Sequence, residues 1–111
     1  MHYAYILYSP SADKYYVGQT PELETRLLFH NELSENSFTS RYRPWVLERA
    51  IAVNTRSEAM ALERYIKGRK SKRYIRKLID EEAAVKSLLD KFNISPPGSV
   101  GYSGPAPVER D

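Results

Sequence analysis

The run Tyr3-Ala4-Tyr5-Ile6-Leu7-Tyr8 constrains the fold more than any other part of the chain, because it is aromatic or aliphatic throughout and contains no glycine, proline or charge. A short apolar run of this kind, with no polar alternation, predicts a strand at or near full burial. The punctuation that follows, Ser9 to Asp13, includes Pro10 and gives way to a second extended run, Lys14 to Gln19. Two such runs joined by a short turn-rich loop predict an antiparallel hairpin. Gly18 sits near the end of the second run, where a glycine weakens a strand unless something must approach its backbone closely.

Helical patterns dominate the rest. Thr20, Pro21 and Glu22 read as a helix start, with a hydroxyl cap, a proline at the first helical position and an acid at the positive end of the dipole. Leu23, Leu27 and Leu28 supply its apolar stripe, and Glu22, Arg26 and His30 recur every four residues on another face. The segment from Glu32 to Pro44 is polar and rich in breakers, and reads as a loop whose basic tip, Arg41 and Arg43, faces phosphate. Trp45 to Val53 is a third strand. Thr55 and Glu58 form a capping box for a helix that buries Ala59, Leu62 and Ile66, places Glu63 beside that stripe and ends at Gly68. Ser71 caps a further helix carrying Tyr74, Ile75, Leu78 and Ile79. Residues 81–92 continue helically, with Val85, Leu88, Leu89 and Phe92 as an apolar face that either packs back or holds a partner. From Asn93 the chain is rich in Pro and Gly, and a disordered tail is expected over 93–111.

At 111 residues, 41% of them hydrophobic, the chain has material for one core. It has no Cys and only two His, so disulfides, thiolate metal sites and a closed structural zinc site are excluded. Neither a basic leader, a membrane-length apolar window nor a lipidation motif is seen, so a soluble, cytoplasmic protein with no membrane contact is expected. Charge is uneven: residues 1–80 carry 14 Lys and Arg against 9 Asp and Glu, whereas 81–111 carry 3 against 5. Between Arg64 and Lys77 there are eight basic residues and no acid, with Tyr65 and Tyr74 interleaved. Such a stretch suits a polyanion, and equally suits a solvated helix face.

Hairpin, helix with Arg and His four apart, strand, and helix with a single Glu beside its core face: this order resembles the GIY-YIG nuclease family in its small single-domain members. The first motif is matched by Tyr3, Ala4 and Tyr5 leading into Ile6 and Leu7, and the second by Tyr16, Val17 and Gly18. The helical Arg is matched by Arg26 in LETRLLFHN, with His30 following, and the metal-binding Glu by Glu63 in EAMALERYIKG. The family glycine of the first motif is replaced by Tyr3, and its isoleucine by Ala4. The resemblance covers about residues 2–80 and implies an α+β fold, a small three-stranded antiparallel sheet flanked by helices. It divides the chain into a nuclease domain (1–80), a helical extension (81–92) and the tail (93–111). It also implies a divalent-metal-dependent endonuclease using Mg²⁺ or Mn²⁺, with Tyr5, Tyr16, Arg26, His30 and Glu63 as its site.

Phosphodiester cleavage needs an activated water and neutralised phosphoryl charge, and these residue types suit it. Arg26 can fork two hydrogen bonds to phosphate. Glu63 alone suits one hard cation that keeps most of its waters. A tyrosine can accept or relay a proton, provided that Arg26 and a cation favour its ionised form and that Tyr5 and Tyr16 stand opposite each other across the hairpin. Each residue also has a plainer explanation: Tyr5 as core, Arg26 paired with Glu22, Glu63 paired with Lys67, His30 on a helix surface, Gly18 easing a bend. The substrate expected from charge and resemblance is nucleic acid, DNA first, gripped by Arg41, Arg43, Lys67, Lys70, Lys72 and Arg73, at branched, nicked or single-stranded structures. The alternatives are a non-catalytic nucleic-acid-binding module of the same fold and a protein-interaction domain using residues 85–92; no sequence signal favours a homodimer.

Overall fold

The computed structural model describes residues 1–35 and 37–97. Strands β1 (His2–Ser9), β2 (Lys14–Thr20) and β3 (Val46–Val53) form one antiparallel sheet in the order β2-β1-β3. The apolar run thus occupies the middle strand, and Ala4, Tyr5, Ile6 and Leu7 are each at most 2% exposed. Because side chains alternate along a strand, these four are shared between the two faces. Ala4 and Ile6 join Val17, Ile51 and Val53 in a larger core, while Tyr5 and Leu7 join Trp45 in a smaller one.

Five helices complete the α+β fold: α1 (Leu23–Leu28), α2 (Phe38–Arg41), α3 (Arg56–Arg69), α4 (Lys72–Asp80) and α5 (Glu82–Lys91), with a π-helical turn, Phe29–Leu33, running on from α1. Helices α3, α4 and α5 build the larger core through Ala59, Leu62, Ile66, Leu78, Val85 and Leu88. Leu23 and Leu27 of α1 close the smaller one. The apolar face of residues 85–92 therefore packs back into the larger core. Beyond α5, Ile94 is buried in the same core and Asn54 Nδ2 donates to Ser95 O; the tail expected over 93–111 lies, from residue 98 onward, outside the described residues.

Local signals explain most boundaries. In the hairpin, Asp13 N–H donates to Ser9 O at 2.8 Å, and the Tyr8 hydroxyl donates to Asp13 Oδ1 at 2.9 Å. The Thr55–Glu58 capping box opens α3, and Ser71 accepts from Tyr74 N–H to open α4. Four expectations are corrected. Thr20 ends β2, its hydroxyl accepting from Glu22 N–H in a tight turn, so Glu22 becomes the cap position and Pro21 precedes the helix. Helix α3 runs through Gly68 and ends at Lys70 in the left-handed region (φ 49°). Leu28 is 44% exposed, since the π-helical turn follows it and only Leu23 and Leu27 meet the sheet. The Glu32–Pro44 loop contains α2, because Ser37 and Ser40 make a reciprocal cap that the density of polar residues hides.

The Arg49 side chain was silent in the sequence. Between Ile6 and Leu7 the β1–β3 register slips, so that Ile6 faces Arg49 and Leu7 faces Leu47. Arg49 then reaches the end of α4, donating Nε to Leu78 O (2.7 Å) and Nη2 to Ile79 O (2.9 Å), with Nη1 on Glu82 Oε2. These carbonyls are orphans of a helix end. We expect Arg49→Ala to cost about 2 kcal/mol of stability in urea denaturation, as for loss of charged hydrogen bonds to half-buried carbonyls. Arg49→Lys should recover less than half of it, lacking the planar fork; an unchanged midpoint for Arg49→Ala would refute the role.

Candidate active site

Gly18 is the Cα partner of Tyr5 across the hairpin. A Cβ at position 18 would fall 2.5 Å from the Tyr5 hydroxyl oxygen and 2.6 Å from Cζ. The glycine is what lets the Tyr5 ring lie against the backbone of β2. Tyr16 pairs with Leu7 rather than with Tyr5. The two tyrosines are consequently diagonal neighbours on one face, not directly opposite, with ring centroids 6.3 Å apart.

Both rings meet His30. The Tyr5 hydroxyl lies 2.9 Å from His30 Nε2, and the Tyr16 ring centroid lies 4.6 Å from that of the imidazole. His30 is 2% exposed and belongs to the π-helical turn, closed by Ser34 N–H donating to Phe29 O. Its other nitrogen, Nδ1, is 2.9 Å from Thr39 Oγ1 on α2. A neutral imidazole has one donor and one acceptor, so a phenol donating to Nε2 leaves Nδ1–H to donate to Thr39. Thr39 in turn contacts Ser37, and Ser37 contacts Ser34, making a short polar chain behind the site. Thr39 is a site neighbour that sequence reasoning missed, and the only signal for it was the Ser37–Ser40 cap.

Arg26 is half-buried on α1, its guanidinium 4.4 Å from the Phe29 ring centroid and close enough to act on both phenols. It makes no ion pair with Glu22. Burial pushes the Tyr5 hydroxyl up to about 12, outweighing the hydrogen bond and charge of Arg26, which pull it down; Tyr16 and Glu63 push it further up. The ionised phenol that the chemistry would want is therefore not the resting state of Tyr5. His30 is pulled down to about 4 by burial first and then by the charges of Arg26 and Arg43.

Glu63 comes from α3, and its negative charge is felt at Tyr5. Its side chain is 22% exposed, and Lys67 Nζ sits 2.8 Å from Oε2, so the ion pair foreseen as the plainer explanation is formed. Lys67 is also 5.8 Å from the Tyr16 ring centroid, which brings the pair to the tyrosine edge of the site. Among the described residues no three His, Cys, Asp or Glu cluster to hold a metal. The donor set of one part-exposed carboxylate beside phenol oxygens fits a largely hydrated Mg²⁺ or Mn²⁺ held jointly with a substrate phosphate, and does not fit a tightly resident ion.

The basic residues separate into four places. Arg43 is structural: Nε donates to His30 O at 2.7 Å and Nη2 to Ser34 O, so its fork braces the π-helical turn. Lys67, Lys70 and Lys72 line a groove of about 390 Å³ together with Lys14 and Tyr16. Arg73 faces a different groove, and Arg41 is exposed on α2.

A central strand covered on both sides, two phenols and an imidazole in contact around a glycine, an arginine against them and one carboxylate nearby define a compact α+β domain with a polar site at a sheet edge. Residues 1–77 match the family model of the GIY-YIG catalytic domain, and the chain belongs to this nuclease family. No characterised protein and no solved structure matches it significantly. No helix among the described residues is long and apolar enough to cross a membrane.

The depressed His30 has a measurable consequence. From an ordinary 6.5 down to about 4, the unfolded chain takes up a proton that folded His30 refuses, so this residue makes stability fall as pH falls through that window. Urea midpoints measured across it should drop for the wild type and drop less for His30→Gln. Parallel curves for the two proteins would show that His30 is not held neutral.

Proposed function

We propose that the protein is a divalent-metal-dependent endonuclease that hydrolyses phosphodiester bonds in DNA, at branched, nicked or single-stranded structures, and that it works in the cytoplasm. The reading rests above all on the convergence of Tyr5, Tyr16, His30 and Arg26 around Gly18 with the charge of Glu63 beside them. In this reading Arg26 clamps the scissile phosphate, its planar fork matching two non-bridging oxygens and stabilising the charge that builds on them. The Tyr5 hydroxyl is committed to His30, which fixes the phenol's direction. Tyr16 meets His30 through its ring, which leaves its hydroxyl beside Arg26. Tyr16 is thus the group we assign to take a proton from the attacking water, with Tyr5 and His30 orienting it. Glu63 would hold Mg²⁺ or Mn²⁺, which supplies charge neutralisation at the phosphate once Lys67 is displaced from the carboxylate. Lys67, Lys70 and Lys72 line the neighbouring groove and offer the strand a basic track.

The second reading is a nucleic-acid-binding module of the same fold without turnover, favoured by the formed Glu63–Lys67 pair. The two differ in one experiment: duplex, nicked, flap, branched and single-stranded oligonucleotides incubated with purified protein and Mg²⁺ or Mn²⁺. We expect cutting of at least one substrate, reduced at least about a hundredfold in Glu63→Ala and in Arg26→Ala, the scale set by removal of one preorganised electrostatic group. Arg26→Lys should retain only a small part, keeping charge without the fork. Melting temperatures of the Glu63 variant should stay near wild type, since an exposed ion pair is worth about 0.5 kcal/mol. Absence of cutting on every substrate, or undiminished cutting by Glu63→Ala, would remove the enzyme reading.

A further inference from the structure

A groove of about 640 Å³ runs between α3, α4 and α5, and its lining shares no residue with the candidate active site. Four cations converge on it, Arg69, Arg73, Lys77 and Lys91, against one acid, Glu81. Elsewhere on these helices and on β3, Lys67 is matched by Glu63, Lys72 by Asp13, Arg76 by Asp80 and Arg49 by Glu82, while Arg56, Arg64 and Lys86 stand exposed outside the groove. Among the described residues none of the groove's four makes an ion pair. Arg73 and Lys77 are moreover four apart on α4, where like charges repel each other unless an anion lies between them. Four cations without a counter-ion are therefore gathered in one concave lining, an arrangement mildly unfavourable for the protein alone.

Aromatic rings give the groove a second property. Arg69 is held over Tyr74 with its Cζ 4.4 Å from the ring centroid, and donates Nη1–H to the Tyr65 hydroxyl at 3.0 Å. Lys91 lies 5.4 Å from the Tyr65 centroid. A guanidinium fixed in this way is a stacking surface for an unpaired base, and the three remaining cations are spaced to meet phosphates. Only a strand with exposed bases uses both properties at once; a duplex would use the charge alone.

We infer that this groove is a second nucleic-acid site, which holds a single strand by stacking on Arg69 and by phosphate contacts to Arg73, Lys77 and Lys91, apart from the strand at Tyr16 and Arg26. The inference deepens the nucleic-acid reading above and rests on it. Its test is the fluorescence anisotropy of a labelled single-stranded oligonucleotide titrated with the full chain in EDTA, where cutting plays no part. The triple variant Arg73→Gln/Lys77→Gln/Lys91→Gln is expected to bind at least tenfold more weakly and to lower the slope of log affinity against log salt by about 2, the loss of three single-strand phosphate contacts. A triple of equal charge loss at exposed positions outside the groove, Arg56→Gln/Arg64→Gln/Lys86→Gln, should weaken binding by less than threefold. Ser87→Glu, which sets a carboxylate in the groove, should weaken it in the same direction as the groove triple. Equal losses in the two triples, undiminished binding by the groove triple, or no binding by the wild type at low salt overturns the proposal. Loss of binding in the groove triple by a protein that cuts nothing would sink the endonuclease reading and leave the groove standing, whereas cutting by wild type with unchanged binding by the groove triple would sink the groove alone.

Discussion

β1 is covered on both faces, and its alternation ties two halves of the molecule together. Ala4 and Ile6 anchor the core made with α3, α4 and α5, while Tyr5 and Leu7, one residue out of phase, face α1 and Trp45. A slip of one residue in its pairing would exchange the two sets and destroy the core and the site together. Arg49 and the register shift opposite Ile6 and Leu7 sit where that phase is set on the β3 side. The hairpin sets it on the β2 side through the Ser9–Asp13 turn.

Much of this was legible in the residues. A run without polar alternation can only be buried, hydroxyl caps at Thr55 and Ser71 announce their helices, and the motif order carried the family. The sequence was opaque where tertiary contacts override local signals. Thr20 looked like a cap because its hydroxyl does bind a backbone N–H, but in a turn that precedes the helix. The tyrosine register depended on which β2 residue meets Tyr5, and periodicity fixes a face without fixing a partner. Arg43 read as a phosphate ligand because nothing local reveals that two backbone carbonyls claim it. Thr39 was invisible for the converse reason: its importance lies wholly in a contact made across nine residues.

The site's electrostatics carry a tension. Burial that orients Tyr5 and His30 also suppresses their charged forms, raising one and lowering the other. The more exposed residues beside them, Tyr16, Arg26 and Glu63, stand at the outer rim. The pocket thus joins a dry inner pair, held neutral and linked by a hydrogen bond, to a wetter rim whose formal charges lie on Arg26 and Glu63.

The Tyr5–Gly18 contact also has a consequence for how this sequence can drift. The atoms that a Cβ at 18 would strike all belong to Tyr5. A chain that first shrinks residue 5 opens room at 18 and becomes free to accumulate side chains there, after which restoring the tyrosine meets a blocked strand. The reverse order is closed from the start. The pair therefore acts as a ratchet: lineages that abandon the phenol find it hard to regain, and those that keep it must keep the glycine.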